Sequence, residues 1–143
     1  EGDVRPMGRT AYGVRGITLR EDDYVVAIEL VHPGGTLLTV TERGYGKRTE
    51  IDEYRVQSRG GVGIINISTS ERNGHVVGVA CVQDGDELLL ITQQGMIIRM
   101  PTNDVRAIGR ATQGVRLIDV ETEDGVVSVA RLVEKEDESD PAQ

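Results

Sequence analysis

The order and spacing of three landmarks constrain this chain's fold more than any single residue does. Gly8-Arg9-Thr10-Ala11-Tyr12-Gly13-Val14, Ser58-Arg59-Gly60-Gly61-Val62-Gly63-Ile64 and Gly109-Arg110-Ala111-Thr112-Gln113-Gly114-Val115 each keep an Arg and a Gly four residues apart, at offsets of 50 and then 51. Further into each unit, Val25-Val26-Ala27-Ile28 corresponds to Val76-Val77-Gly78-Val79 and to Val126-Val127-Ser128-Val129. Leu37-Leu38-Thr39-Val40-Thr41 returns 51 residues later as Leu88-Leu89-Leu90-Ile91-Thr92, leading to Gly44 and Gly95 and then to Arg48 and Arg99. A period near 50 marks a repeat architecture, in which one unit cannot bury its apolar face alone and stacks on its neighbours.

Each unit reads as four short strands, near 14–19, 24–31, 37–41 and 45–49 in the first and 64–68, 75–82, 88–92 and 96–100 in the second. Asn73-Gly74, Asp84-Gly85 and Asp124-Gly125 supply turns that accept positive φ. The third unit repeats the first two strands and then stops. With 19 Val, 11 Ile and 18 Gly, the composition favours strands and turns over helices. Val76–Val82 and Leu88–Ile91 are apolar on nearly every residue, as strands covered on both faces are. The expected fold is all-β and propeller-like, about two and a half to three blades of four-stranded antiparallel sheet with a ~50-residue repeat. A linear β-solenoid is the structural alternative, with a shorter usual period. Residues 1–133 form this array in units of about 1–50, 51–101 and 102–133, and 134–143 is expected to be a disordered acidic tail.

Several chemistries fit the chain poorly. No apolar run approaches the ~18 residues of a membrane helix, so no membrane partner is expected. Cys81 and two histidines make a poor zinc set, and Cys81 in a Val-rich strand reads as a small buried hydrophobe. His32 and His75 lack the pattern of a catalytic triad. Nothing marks Tyr45 or Tyr54 as a covalent nucleophile. Gly44-Tyr45-Gly46-Lys47-Arg48-Thr49 lacks the first Gly and the Ser/Thr of a phosphate-binding loop, so a hairpin is expected there. Asp84-Gly85-Asp86-Glu87 reads as a solvated turn. No catalytic residue is assigned, and neither a metal nor a cofactor is expected in this chain. The single cysteine and the lack of an export signal point to a reducing, intracellular compartment, and the missing initiator Met to a piece of a longer chain.

The net charge of −8 argues at face value against a nucleic-acid partner. Its distribution reverses that inference. Residues 5–20 carry four Arg and no acid, whereas 21–42 carry five acids and no base. Bases again outnumber acids over 43–59 and 99–116, the links between units, and residues 134–143 alone contribute −4. Fourteen of the sixteen Lys and Arg residues are Arg, whose planar fork suits phosphate. In a circular stack these stretches would form a basic belt, suited to a polyanion whose backbone curves around the protein. The alternative is that alternating charge only keeps a strand-rich chain soluble. With no Trp or Phe, a grip based on base stacking is excluded, which leaves backbone contacts.

The stretch Arg5-Pro6-Met7-Gly8-Arg9-Thr10-Ala11-Tyr12-Gly13-Val14-Arg15-Gly16-Ile17, with the two later copies of its motif, closely resembles the C-terminal domain of the bacterial DNA gyrase A subunit. The resemblance runs from about residue 4 to 133, and the acidic end resembles that subunit's tail. It implies a β-pinwheel, a propeller relative whose blades exchange strands, with this chain as roughly the last half of a six-bladed domain. It further implies that the domain wraps duplex DNA on a basic rim, biasing ATP-driven strand passage toward negative supercoils. The implied partners are duplex DNA, the remainder of the gyrase A subunit and the gyrase B subunit. ATP and Mg are expected elsewhere in that enzyme, a type IIA topoisomerase of the bacterial cytoplasm and nucleoid.

The resemblance has a gap. The signature heptapeptide Q-R-R-G-G-K-G has its nearest counterpart in Gln57–Gly63, which has one Arg where the signature has two and lacks the Lys. Arg9, Arg59 and Arg110 in the repeated motif are the first candidates for phosphate contact. Arg15 and Arg116, equivalent at an offset of 101, and Arg48 and Arg99, equivalent at 51, complete the candidate set. Gly13, Gly63 and Gly114 are expected to serve backbone geometry. The runner-up readings are the topoisomerase IV A-subunit domain and a protein-binding propeller fragment without a DNA role. Open blade faces also predict self-association of the fragment or marginal stability.

Overall fold

The computed structural model describes residues 5–133, and the expected acidic tail at 134–143 lies outside the described residues. Seven strands follow one another as β1 (Thr36–Thr41), β2 (Tyr45–Glu50), β3 (Val76–Val82), β4 (Glu87–Thr92), β5 (Ile97–Pro101), β6 (Val115–Arg116) and β7 (Val126–Leu132). Single 3-10 turns occupy Ile51–Glu53 and Thr102–Asp104, directly after β2 and β5. Two equivalent hairpins, β1–β2 and β4–β5, organise the rest. Their turns place Gly44 and Gly95 at φ 85° and 89°, a region costly for any residue with a Cβ.

The hairpins recruit their outer strands from later units. One sheet runs β3-β1-β2-β6 and the other β5-β4-β7. β1 therefore pairs antiparallel with β3 of the second unit, and β4 with β7 of the third. Both ladders slip at the same place, between Val40 and Thr41 and between Ile91 and Thr92. The repeat therefore extends to the bulge. The larger sheet draws on all three units, the exchange of strands between blades that the resemblance implied. The turn at 32–35 explains the exchange. Gly35 runs against the end of β3, where a Cβ would lie 3.1 Å from Cys81 Sγ and from the Val82 carbonyl oxygen. The chain thus enters β1 already beside β3.

Of the expected strands, 37–41, 45–49, 75–82, 88–92 and 96–100 are present to within a residue or two at their ends. Residues 14–19, 24–31 and 64–68 carry no strand pairing among the described residues. Their composition is strand-like, but no described strand pairs with them. Tyr24, Ile28 and Leu30 are consequently exposed, whereas Ala80, Cys81 and Val82 at the end of β3 are buried under β1.

The core lies between the two sheets. Leu38 and Val40 from β1, Ala80 and Val82 from β3, Leu88 and Leu90 from β4 and Val126 from β7 form one buried cluster with Val105 and Ile118. Each of the Leu, Val and Ile side chains contributes ~1.5–3 kcal/mol on burial. β3 and β7 meet closely at Gly78, where a Cβ would stand 2.5 Å from Val129 Cγ1. Gly78 interrupts the Val-rich run because the neighbouring sheet fills the space its side chain would need. Asp86 tightens the turn between β3 and β4, accepting from the Gln83 N–H at 2.9 Å and pairing with Arg131 of β7 at 2.8 Å.

Candidate nucleic-acid interface

The third copy of the repeated motif is a loop fastened across the open side of β2. Before the loop, the Arg48 N–H donates to the Arg106 carbonyl at 3.1 Å, and the Ile108 N–H to the Arg48 carbonyl at 2.8 Å. After it, β6 pairs antiparallel with Tyr45 and Gly46. Gly114 closes the loop at φ 76°, where a Cβ would sit 2.7 Å from the Gly46 carbonyl oxygen. Arg110 stands on this loop, and its Nη1 donates to the Ile65 carbonyl at 2.9 Å.

Lys47 supports the loop from below. Its side chain is fully buried, and Nζ donates to the carbonyls of Asn66, Gly109 and Arg110 at 2.5, 2.7 and 2.5 Å. Burial lowers its pKa to about 8; Arg110 adds to the shift and Glu53 opposes it. Asn66 is held in turn by Tyr54, whose hydroxyl donates to Asn66 Oδ1, and donates through Nδ2 to Thr39 Oγ1 at 2.9 Å. Burial raises the Tyr54 phenol above its ordinary range. Sequence alone did not reveal this polar network, although the isolated Lys47 in an Arg-rich chain was a signal for it.

The motif loops are joined in series by equivalent bonds. The Thr18 N–H donates to the Gly61 carbonyl at 2.8 Å, and the Ser68 N–H donates to the Thr112 carbonyl at 2.8 Å. The second and third loops thus each rest on the segment that follows the preceding loop. The Gly60 N–H adds a bond to the Gly16 carbonyl at 2.9 Å. Gly13, Gly63 and Gly114 all lie near φ 80°, so the second Gly sets the same loop conformation three times.

The candidate arginines fall into two groups. Arg9, Arg15 and Arg59 are exposed, as is Arg116. Arg110 is half-buried at the edge of its loop. Arg99 is exposed and pairs with Glu87 on the neighbouring strand. Arg48 differs: its side chain is only 11% exposed, and Nε donates to the Val105 carbonyl at 2.8 Å. Nη1 of Arg48 approaches Asp84 at 3.4 Å. Arg48 fastens β2 to the strap at 105–108. Cys81 is buried, and the Lys47 segment is strand β2 of a hairpin, as the sequence led one to expect.

Interlocked antiparallel sheets, hairpins that borrow strands from later units and a series of arginine-bearing loops define a strand-exchanged, propeller-type repeat domain. The family model of the DNA gyrase C-terminal domain, a beta-propeller, matches residues 1–32, 35–83 and 86–132. The chain belongs to that family. It is 49% identical over 142 residues to the DNA gyrase A subunit of Haloquadratum walsbyi, covering 98% of this chain and 17% of that relative. The DNA gyrase A subunit of Staphylococcus aureus (strain MRSA252) is 46% identical over 140 residues, covering 96% of this chain and 16% of the relative. This chain therefore spans about a sixth of the length of these relatives. Among solved structures, a DNA gyrase A C-terminal domain superposes with a TM-score of 0.85 at 30% identity, covering 92% of this chain and 45% of that one. The C-terminal domain of a DNA topoisomerase IV gives 0.83 at 27% identity, covering 91% and 41%.

Proposed function

We propose that this chain is the part of a DNA gyrase A subunit that binds duplex DNA along its arginine-bearing loops and bends it around the blade rim. The observation that carries the reading is the serial linkage of the three motif loops, which holds Arg9, Arg59 and Arg110 in a repeating arrangement. Regularly repeated guanidinium groups suit a phosphate backbone that passes from blade to blade. Arg15, Arg99 and Arg116 extend the contact, and Arg48 contributes by fastening the strap that leads into the Arg110 loop. Wrapping presents a second segment of the same DNA to the gate formed by the remainder of the A subunit with the B subunit. ATP-driven strand passage there then introduces negative supercoils. ATP and Mg act in those parts of the cytoplasmic enzyme.

The topoisomerase IV reading draws on a fold likeness almost as close, and the curated gyrase relatives at 46–49% identity favour gyrase over it. Titration of duplex DNA at several salt concentrations tests the binding step. Affinity should fall steeply with salt, and replacing Arg59 or Arg110 by Gln should each flatten the slope of log K against log salt by ~0.9. A complex insensitive to salt would sink the reading. Supercoiling assays on the full-length A subunit, with and without these residues, separate wrapping-driven negative supercoiling from simple relaxation.

A further inference from the structure

The first blade carries a cationic cluster that the repeat does not reproduce. Tyr45 opens β2 and is almost entirely buried, yet its hydroxyl oxygen accepts two charged bonds. Arg72 Nε donates to it at 3.1 Å and Arg116 Nη2 at 3.0 Å. Both guanidinium carbons also lie over the ring, 5.2 and 5.4 Å from its centroid. One phenol thus gathers two cations from different units, Arg72 from the turn before β3 and Arg116 from β6. At an offset of 51, Met96 stands in the place of Tyr45 and Glu123 in that of Arg72, so the arrangement occurs once in this chain.

Two like charges held together without an anion repel each other. The ring face and the shared oxygen reduce that cost. Asp119 answers part of the charge, accepting from Arg116 Nη1 at 3.0 Å. Both Nη groups of Arg72 have no partner among the described residues, as has the Arg116 Nε. A phenol that accepts two hydrogen bonds still has its own hydrogen to donate, and Tyr45 donates it to nothing among the described residues. The two bonds pull the Tyr45 phenol below its ordinary pKa, the sign of a local field that favours an anion.

We propose that Arg72, Arg116 and the Tyr45 hydroxyl form a seat for one phosphodiester group of duplex DNA, with Tyr45 as the positioning residue. The seat rests on the DNA-binding reading above and adds Arg72, which the repeated motif does not contain. Arg72 offers both Nη groups to the phosphate, and Tyr45 fixes the spacing between the two forks. Such bidentate contact suits phosphate better than a flexible point charge would.

The test uses the intact 143-residue chain with a duplex probe titrated across a salt series. Arg72→Gln should flatten the log K–log salt slope by ~0.9, the signature of one lost phosphate contact. Arg72→Lys, which keeps the charge, should restore most of that slope while binding more weakly than Arg. Tyr45→Phe keeps the ring and removes the shared oxygen. It should weaken binding roughly three- to tenfold, and in the Arg72→Gln background should have much less effect. Melting curves of each variant show that the fold is retained. Salt-sensitive wild-type binding that all three single variants reproduce unchanged would overturn the seat and leave the DNA reading standing. A Lys variant with the flattened slope of the Gln variant would likewise overturn it. Wild-type binding that is absent or indifferent to salt would overturn both.

Discussion

Replacing Lys47 by Met gives a pH-dependent effect whose sign follows from the buried ammonium. The fall in its pKa from 10.5 to about 8 corresponds, at ~1.4 kcal/mol per pH unit, to ~3 kcal/mol against the charged form in the folded chain. Between pH ~8 and ~10.5 the unfolded chain still holds a lysine proton that the folded chain has released. The unfolded state therefore binds more protons, and Lys47 makes stability rise with pH across that window, by up to ~1.4 kcal/mol per unit. Met abolishes this rise. It also leaves the Asn66 and Arg110 carbonyls without their donor, at ~1–3 kcal/mol each, whereas the exposed Gly109 has access to water. At pH 7 relief from burying the charge offsets most of that loss, so the variant should lie within ~2 kcal/mol of wild type. By pH 10 the relief has gone, and the penalty should be larger by about 2–3 kcal/mol. Urea unfolding of both proteins from pH 7 to 10 measures it, because the difference cancels the titration of Tyr54 and other shared groups. A penalty greatest at pH 7 that shrinks as pH rises would refute the reasoning. It would mean that the three carbonyls hold the ammonium proton more tightly than water does.

Other perturbations test the geometry. Gly13 and Gly114 share a left-handed conformation, but only Gly114 faces backbone, with Gly46 oxygen 2.7 Å from the site of a Cβ. Gly13→Ala should cost ~1–2 kcal/mol and Gly114→Ala at least ~2 kcal/mol more; equal losses in thermal melts would contradict the seating of that loop on β2. Asn73 is fully buried, and its Nδ2 donates to the Ser68 and Gln113 carbonyls at 2.8 and 3.1 Å. Asn73→Asp turns a donor into an oxygen facing two oxygens and should destabilise by ~2–4 kcal/mol at neutral pH, whereas an unchanged urea midpoint would argue against the network. The exposed apolar run of Tyr24, Ile28 and Leu30 should drive concentration-dependent self-association in sedimentation, reduced by Ile28→Lys; a monodisperse wild type would show that this edge is inert.

The parts of the fold legible in the sequence were those written in local chemistry. Apolar strands, Asn-Gly and Asp-Gly turns and the spacing of motif glycines all act over a few residues, and the hairpins lie where those signals put them. Which strand pairs with which was not local. Residues 24–31 are as strand-like as Val76–Val82, yet only the latter have β1 beside them. Pairing depends on the geometry of the 32–35 turn and on Gly78 admitting Val129 of the next sheet, neither of which a hydropathy pattern encodes. The site shows the same division. Repeat spacing picked out Arg9, Arg59 and Arg110, and the loop linkage gives that spacing a physical meaning. Equivalence by repeat failed for Arg48 and Arg99, which occupy matching positions but differ in surroundings. Arg48 is enclosed because the 105–108 strap crosses β2, and no described segment crosses β5 in that way. The cluster of Arg72 and Arg116 on Tyr45 was not legible for the opposite reason: Arg72 and Tyr45 break the repeat. A function shared by all blades leaves a periodic signal in the sequence, whereas one specific to a single blade leaves only a departure from it.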